Sequence, residues 1–234
     1  MLKFSGIGSA FNPDLGNSNA YIRNNTSLLL IDCGGTVFDR LIKNKILDDI
    51  KNLYVLITHT HPDHIGSLGD TIFYSYYALG IKPEIVFPEH QLLDGILKGM
   101  GVQKEIYHLV GSRSYQLKDT HLGDFSITFD PVSHVENIPS FGIEITNVDM
   151  KVYYSGDSNS IKSSVLERLE NGDIDRLYQD TCKLDYEGNA HLSLRRLTDI
   201  VEPGLRNKVY CMHLDRQFDI SEAESLGFSI AEIK

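Results

Sequence analysis

The chain has 234 residues, 41% hydrophobic and 23% charged, a balance that suits a globular domain with a substantial core. Its formal net charge is -10, from 22 Lys and Arg against 32 Asp and Glu, and the pair Arg195-Arg196 is its longest basic run. A long nucleic acid is therefore a disfavoured partner, because phosphate-backbone affinity needs clustered cations.

Three cysteines cannot all pair and show no CxxC spacing, so reduced thiols are expected. No signal-like apolar stretch opens the chain and no apolar run reaches membrane-spanning length, which implies a cytoplasmic protein with no membrane partner. No linker, composition break or repeat divides the sequence, and residues 1–234 are read as a single domain.

In chain order, the opening Gly6-Ile7-Gly8 is only a GxG, weak as a phosphate motif because no helical pattern follows and residues 12–19 are turn-like. The apolar run 28–31 then closes on Asp32, and a helix-like stretch covers residues 38–50. Residues 53–57 form the next apolar run, followed at once by His59-Thr60-His61-Pro62-Asp63-His64. Helical periodicity returns over 68–79 and 89–99, and residues 111–115, Gly-Ser-Arg-Ser-Tyr, read as a mobile loop. Alternating strands are predicted over 126–129 and 141–146, with His134 between them. The run 151–154 precedes Asp157, and 161–170 places Ile161, Val165, Leu166 and Leu169 on one helical face. His191 stands where a helix over 192–201 begins, and the run 208–212 precedes His213. The pattern as a whole mixes antiparallel sheets with interspersed helices.

Imidazoles and carboxylates are the N and O donors that divalent zinc, manganese or iron accept. Residues two apart on an extended segment project to one side, so His59 and His61 can grip one ion, while Asp63 and His64, beyond Pro62, face a second. His134, Asp157 and His213 each follow a strand-like run and can complete the two sites. His90, His108 and His121 lie outside this pattern and are read as surface residues.

The pattern resembles the metallo-beta-lactamase superfamily of binuclear hydrolases, whose HxHxDH signature is matched by His59, His61, Asp63 and His64. That resemblance implies an α/β fold, an αββα sandwich of two mixed sheets flanked by helices. It places His59, His61 and His134 on one metal, Asp63, His64 and His213 on the other, and Asp157 between them, with two Zn2+ per chain expected and Mn2+ as the alternative. The turn Asn17-Ser18-Asn19, the run 28–34 and Ala190-His191-Leu192-Ser193 are similar to the ribonuclease Z-like phosphodiesterase branch. In that branch a histidine that is not a ligand protonates the leaving oxygen, which implies His191 as a catalytic residue beside Asp63. Asp32 is read as orienting His61 or a neighbouring ligand from behind.

Enzymes of that branch that process transfer RNA insert a long arm between the third histidine and the bridging aspartate. Here that interval is 157 - 134 = 23 residues, and the arm is absent. The whole chain is similar to the phage anti-Pycsar family and its bacterial relatives, on residues 2–13 and on Gly80-Ile81-Lys82-Pro83. The resemblance implies hydrolysis of small cyclic mononucleotides such as cCMP and cUMP, with cAMP and cGMP in range, to linear monophosphates. It also implies a homodimer, evasion of antiphage signalling, and the host cytoplasm where the chain is phage-encoded. Arg113 and Tyr115 are the expected contacts to the base. An RNA 3'-end endonuclease and a protein that sequesters cyclic nucleotides without cleaving them are the rival readings.

Overall fold

A computed structural model describes residues 1–234. The chain opens with β1 (Lys3–Gly6), β2 (Asn19–Asn24), β3 (Ser27–Ile31), α1 (Val37–Lys43), β4 (Asn52–Leu56), α2 (Pro62–Ile65) and α3 (Leu68–Tyr77). Then come β5 (Glu84–Val86), α4 (His90–Gly99), β6 (His108–Val110), β7 (Ser114–Asp119), β8 (Gly123–Pro131), β9 (Phe141–Thr146) and β10 (Lys151–Tyr154). It closes with α5 (Ser163–Glu170), β11 (Arg176–Asp180), α6 (Leu194–Ile200), β12 (Val209–Met212), α7 (Ile220–Ser225) and β13 (Ser229–Ile230).

These strands make two mixed sheets, one of six strands in the order β1-β2-β3-β4-β5-β6 and one of seven in the order β13-β12-β11-β10-β9-β8-β7. In the first, β3 through β6 run parallel; in the second, β10 through β13 do. Among the parallel strands, β3 is buried at every residue, as a strand covered on both faces must be. Antiparallel β8 instead alternates, turning Phe125, Ile127 and Phe129 inward. Aromatic side chains join the sheets: Phe4 packs on Tyr154 and Tyr178, with ring centroids 6.4 and 5.4 Å apart, and Phe87 packs edge-on against Phe141 at 5.9 Å. The result is the expected α/β sandwich with helices on its flanks.

At one end, polar groups tie the layers. The buried Asp119 carboxylate accepts from Ser27, Asn52 and Tyr54 of the first sheet and from the backbone N–H groups of His121 and Leu122. The opposite end, where the parallel strands finish, is left for the site.

Four expectations need correction. The helix expected over 38–50 ends at Lys43, because Lys45 is left-handed at φ 57° and the bonds Ile46 N to Leu41 O and Lys45 N to Ile42 O close a Schellman turn. Apolar residues beyond the turn, Ile46, Leu47 and Ile50, are buried in it and mimic a continuing helical face. Residues 111–115 are not all loop, since Ser114 and Tyr115 begin β7 and pair with Thr128 and Ile127. Residue 192 does not start a helix: Ser193 is the N-cap, its Oγ accepting from Arg196 N at 3.2 Å, so His191 precedes the cap. Strand β11 falls where no strand was predicted. No helix is long and apolar enough to cross a membrane.

Candidate metal centre

Parallel strands that end together bring their terminal side chains together. Asp32 follows β3, Thr58 and His59 follow β4, Asp157 follows β10, Asp180 ends β11 and His213 follows β12. His134 arrives from the β8–β9 connection. Pro62 explains the compactness of the histidine turn. It holds His61 extended, at φ -65° and ψ 152°, and starts α2 at its own position, so His59 and His61 project from an extended segment while Asp63 and His64 project from a helical turn.

The backbone is strained to achieve this. Asp32 and His213 are left-handed at φ 61° and 58°, a conformation that L residues adopt at a cost. Gly34 lets α2 come close, since a Cβ there would lie 1.8 Å from the Asp63 carbonyl oxygen.

The seven donors fall into two groups sharing Asp157. In the first, His61 Nδ1 lies 3.0 Å from His59 Nε2 and 3.3 Å from His134 Nε2, and Asp157 Oδ2 lies 3.7 Å from both His59 and His134. In the second, Asp157 Oδ1 lies 3.2 Å from His64 Nε2 and 3.5 Å from His213 Nε2, while Asp63 Oδ2 lies 3.5 and 3.2 Å from the same two nitrogens. An ion about 2.1 Å from each donor of a tetrahedron sets those donors roughly 3.4 Å apart. The spacing thus fits a divalent cation in each group. A second sign agrees: His64 Nε2 and Asp157 Oδ1 are buried without a hydrogen-bond partner, a cost that ligation removes.

The rings are aimed from behind. His64 Nδ1 donates to Asp32 Oδ2 at 2.8 Å, and Thr58, bonded to the same carboxylate, meets His59 Nδ1 at 3.1 Å. His134 Nδ1 donates to the Ala190 carbonyl at 3.0 Å. Each bond turns the ring's Nε2 toward the centre, as ligating histidines require. Asp32 acts on His64 rather than on His61.

Charge follows from the same packing. Burial works against protonation of His64, but the carboxylates of Asp157 and Asp32 outweigh it and hold its pKa well above the ordinary value. His213, equally buried, is lifted to about 10 by Asp157 and Asp180. Burial together with neighbouring imidazoles pushes His59 well below its usual range. Asp63 and Asp157 stay far below the usual carboxylate range despite burial, because His213 and His64 face them. The centre is organised around positive charge.

Asp180, which the sequence reading missed, is the hub of a third group. Its Oδ2 lies 2.7 Å from His191 Nδ1 and accepts from Ser158 N, while Oδ1 lies 3.3 Å from His213 Nδ1. Burial opposes protonation of His191, yet Asp180 wins and raises its pKa. The signal that could have revealed Asp180 is the one used elsewhere, an apolar pair, Leu177-Tyr178, running to a strand-end carboxylate.

A cavity of about 680 Å³ opens onto the centre, with His61, Asp63, His134, Asp157, His191 and His213 in its lining. Arg113 and Tyr115, expected at the base, do not line it. Arg113, just before β7, lies over the Phe141 ring at 5.7 Å, and Tyr115, held by strand pairing within β7, donates to Glu84 of the first sheet at 2.7 Å. His90, His108 and His121 are exposed.

The family model described as anti-Pycsar protein Apyc1 matches residues 1–231. The chain is 26% identical over 239 residues to the anti-Pycsar protein Apyc1 of Paenibacillus harenae, covering 99% of this chain and 96% of that one. It is 29% identical over 232 residues to that of Bacillus phage BSP38, covering 91% and 88%. In fold it is similar to the metallo-beta-lactamase fold protein YhfI from Bacillus subtilis, with a TM-score of 0.75 at 19% identity over 96% of this chain and 90% of that one.

Proposed function

The chain belongs to the anti-Pycsar protein Apyc1 family, and from that premise and the paired donor groups we infer that it is a metal-dependent phosphodiesterase acting on cyclic nucleotides. The observation that carries the reading is Asp157, whose two oxygens each face a separate donor group while Oδ2 lies 4.0 Å from His191 Nδ1. A dinuclear centre with an acid at its edge suits in-line displacement at phosphorus. The substrates are cyclic mononucleotides, cCMP and cUMP first, with cAMP and cGMP in range, and the products are linear monophosphates. The ions are two Zn2+ per chain, with Mn2+ as the alternative; borderline imidazole and carboxylate donors suit both. The working form is a cytoplasmic homodimer, in the host cell where the chain is phage-encoded.

When bound, the metals would make water a nucleophile near neutral pH and draw negative charge from the phosphodiester. The chain's own residues do the rest. Asp63, kept ionised, lines the cavity and offers a carboxylate to orient the incoming water. As the water oxygen bonds to phosphorus it releases a proton to solvent, the ring P–O bond breaks, and protonated His191 gives its proton to the departing ribose oxygen. Asp180 fixes Nδ1 of that ring, so Nε2 is the nitrogen that serves the cavity. Thr58 and Asp32 keep His59 and His64 aimed throughout.

Metal-loaded protein is incubated with a panel of cyclic mononucleotides and transfer RNA precursors, and the products are separated by chromatography. Linear monophosphates are expected. Cleavage of RNA alone would establish the endonuclease instead, and full recovery of intact, bound cyclic nucleotide would establish sequestration.

A further inference from the structure

The mouth of the cavity carries large apolar side chains that hydrolysis does not use. Phe11 is 88% exposed, Tyr186 58% and Leu184 50%, yet all three line the same cavity as His61 and His191. Apolar rings held in water beside a polar site mark a surface that a ligand covers.

The loops that carry these rings are anchored next to a metal ligand. Ser9 N and Asn12 Nδ2, on either side of Phe11, both donate to the carbonyl of Leu214 at 3.0 Å, one residue after His213. Lys183 N donates to Asp215 Oδ2 at 2.6 Å, and Cys182 pairs with Ser193, which pins the loop bearing Leu184 and Tyr186. Both aromatic rings are therefore positioned relative to the reacting end of the cavity.

Two polar side chains of that wall, Asn189 and Asp215, are already engaged. Asn189 spends its amide on the Leu184 carbonyl and Cys182 Sγ and its oxygen on His191 N, and Asp215 accepts from Lys183 N and Gln217 N. With those two engaged, the wall meets an incoming base mainly through the π faces of Phe11 and Tyr186.

We propose that Phe11 and Tyr186 form a stacking platform for the nucleobase while the phosphodiester lies at the metal centre, a role that rests on the cyclic-nucleotide reading above. Stacking of this kind changes affinity by roughly ten-fold or more when the ring is truncated. Recognition through the face also places base affinity in KM, since the ring does not touch the reacting atoms.

The chain contains no tryptophan, so Phe11→Trp and Tyr186→Trp each supply a single indole reporter. Val148→Trp, on the β9–β10 turn and 98% exposed, is the remote control. Metal-loaded variants are titrated with uridine monophosphate and with inorganic phosphate while fluorescence is followed. Saturable quenching by the nucleotide and none by phosphate is expected at positions 11 and 186, with no response at 148. In turnover, Phe11→Ala and Tyr186→Ala should raise KM roughly ten-fold at little changed kcat, Phe11→Tyr should keep the original KM, and Phe11→Leu should not. No nucleotide-specific quenching, or full rescue by leucine, would overturn the platform. Failure of the parent chain to cleave any cyclic nucleotide would instead sink the functional reading, while the quenching still reports on base contact.

Discussion

His191 holds the one imidazole in the cavity lining that the two donor groups leave out, and its environment makes it an acid. Because Asp180 raises its pKa, the ring remains protonated above the ordinary histidine value and loses its proton only as pH climbs through the raised one. His191→Ala should lower kcat by about 10²- to 10⁴-fold while elemental analysis still finds the parent's metal content. Loss of metal in that variant would make His191 a structural member of the centre. Asp180→Asn isolates the carboxylate's part. With the charge gone, the pKa of His191 falls, and the descending limb of the pH–rate profile should move to lower pH. An unmoved limb would show that Asp180 only aligns the ring. Asp157 differs from both, since each of its oxygens serves a different donor group; Asp157→Ala should remove metal and activity together.

Between residues and the whole lie the strand ends and turns that aim them. The close seating of α2 against the chain after β3 depends on Gly34, and the bonds Cys33 N to His64 O and Gly35 N to Pro62 O fix that seating. Gly34→Ala should displace Asp63 and His64 while sparing His59, His61 and His134. The expected result is about one metal per chain, counted on protein that still unfolds cooperatively; two retained metals would show that α2 has room to shift. This part of the fold was legible in the sequence because apolar runs ended in ligand-type residues: β4 before His59, β10 before Asp157, β12 before His213. Strand β11 was not, since its short run begins at Arg176 and carries Gln179, and with it Asp180 was lost. Periodicity also overshot α1, where buried Ile46 and Leu47 continue the apolar face through a Schellman turn. Tyr115 misled for the opposite reason: a polar, Gly- and Ser-rich stretch enters β7, whose pairing with β8 is long-range information.

On the scale of the molecule, polar groups tie the two sheets at both ends of their shared apolar core, around Asp119 at one end and around the metal centre at the other. Chain leaving the first sheet contributes Asp32, His59, His61, Asp63 and His64 to that centre, and the second sheet and its connections contribute His134, Asp157, Asp180 and His213. Four carboxylates on a chain of net charge -10 converge there, and in the metal-free protein the protons of His64 and His213 offset them. Both histidines have folded pKa values above the ordinary one, so the stability they contribute is fully present below about 6.5. For His213 it is lost as pH rises toward about 10. Asp63 and Asp157 have depressed values, so their contribution is present above the usual carboxylate range and fails only in strong acid. Metal binding must displace the two histidine protons, and bound cations then hold the carboxylates at any pH in this window. The melting temperature of chelator-treated protein should therefore fall between pH 6.5 and pH 9.5, within the window set by His213. That of metal-loaded protein should change little, so the gap between them widens with pH. Thermal melts of the two forms in matched buffers measure that gap directly. A gap that narrows as pH rises would mean that protons on His64 and His213 are not what holds the two sheets together at this end when metal is absent.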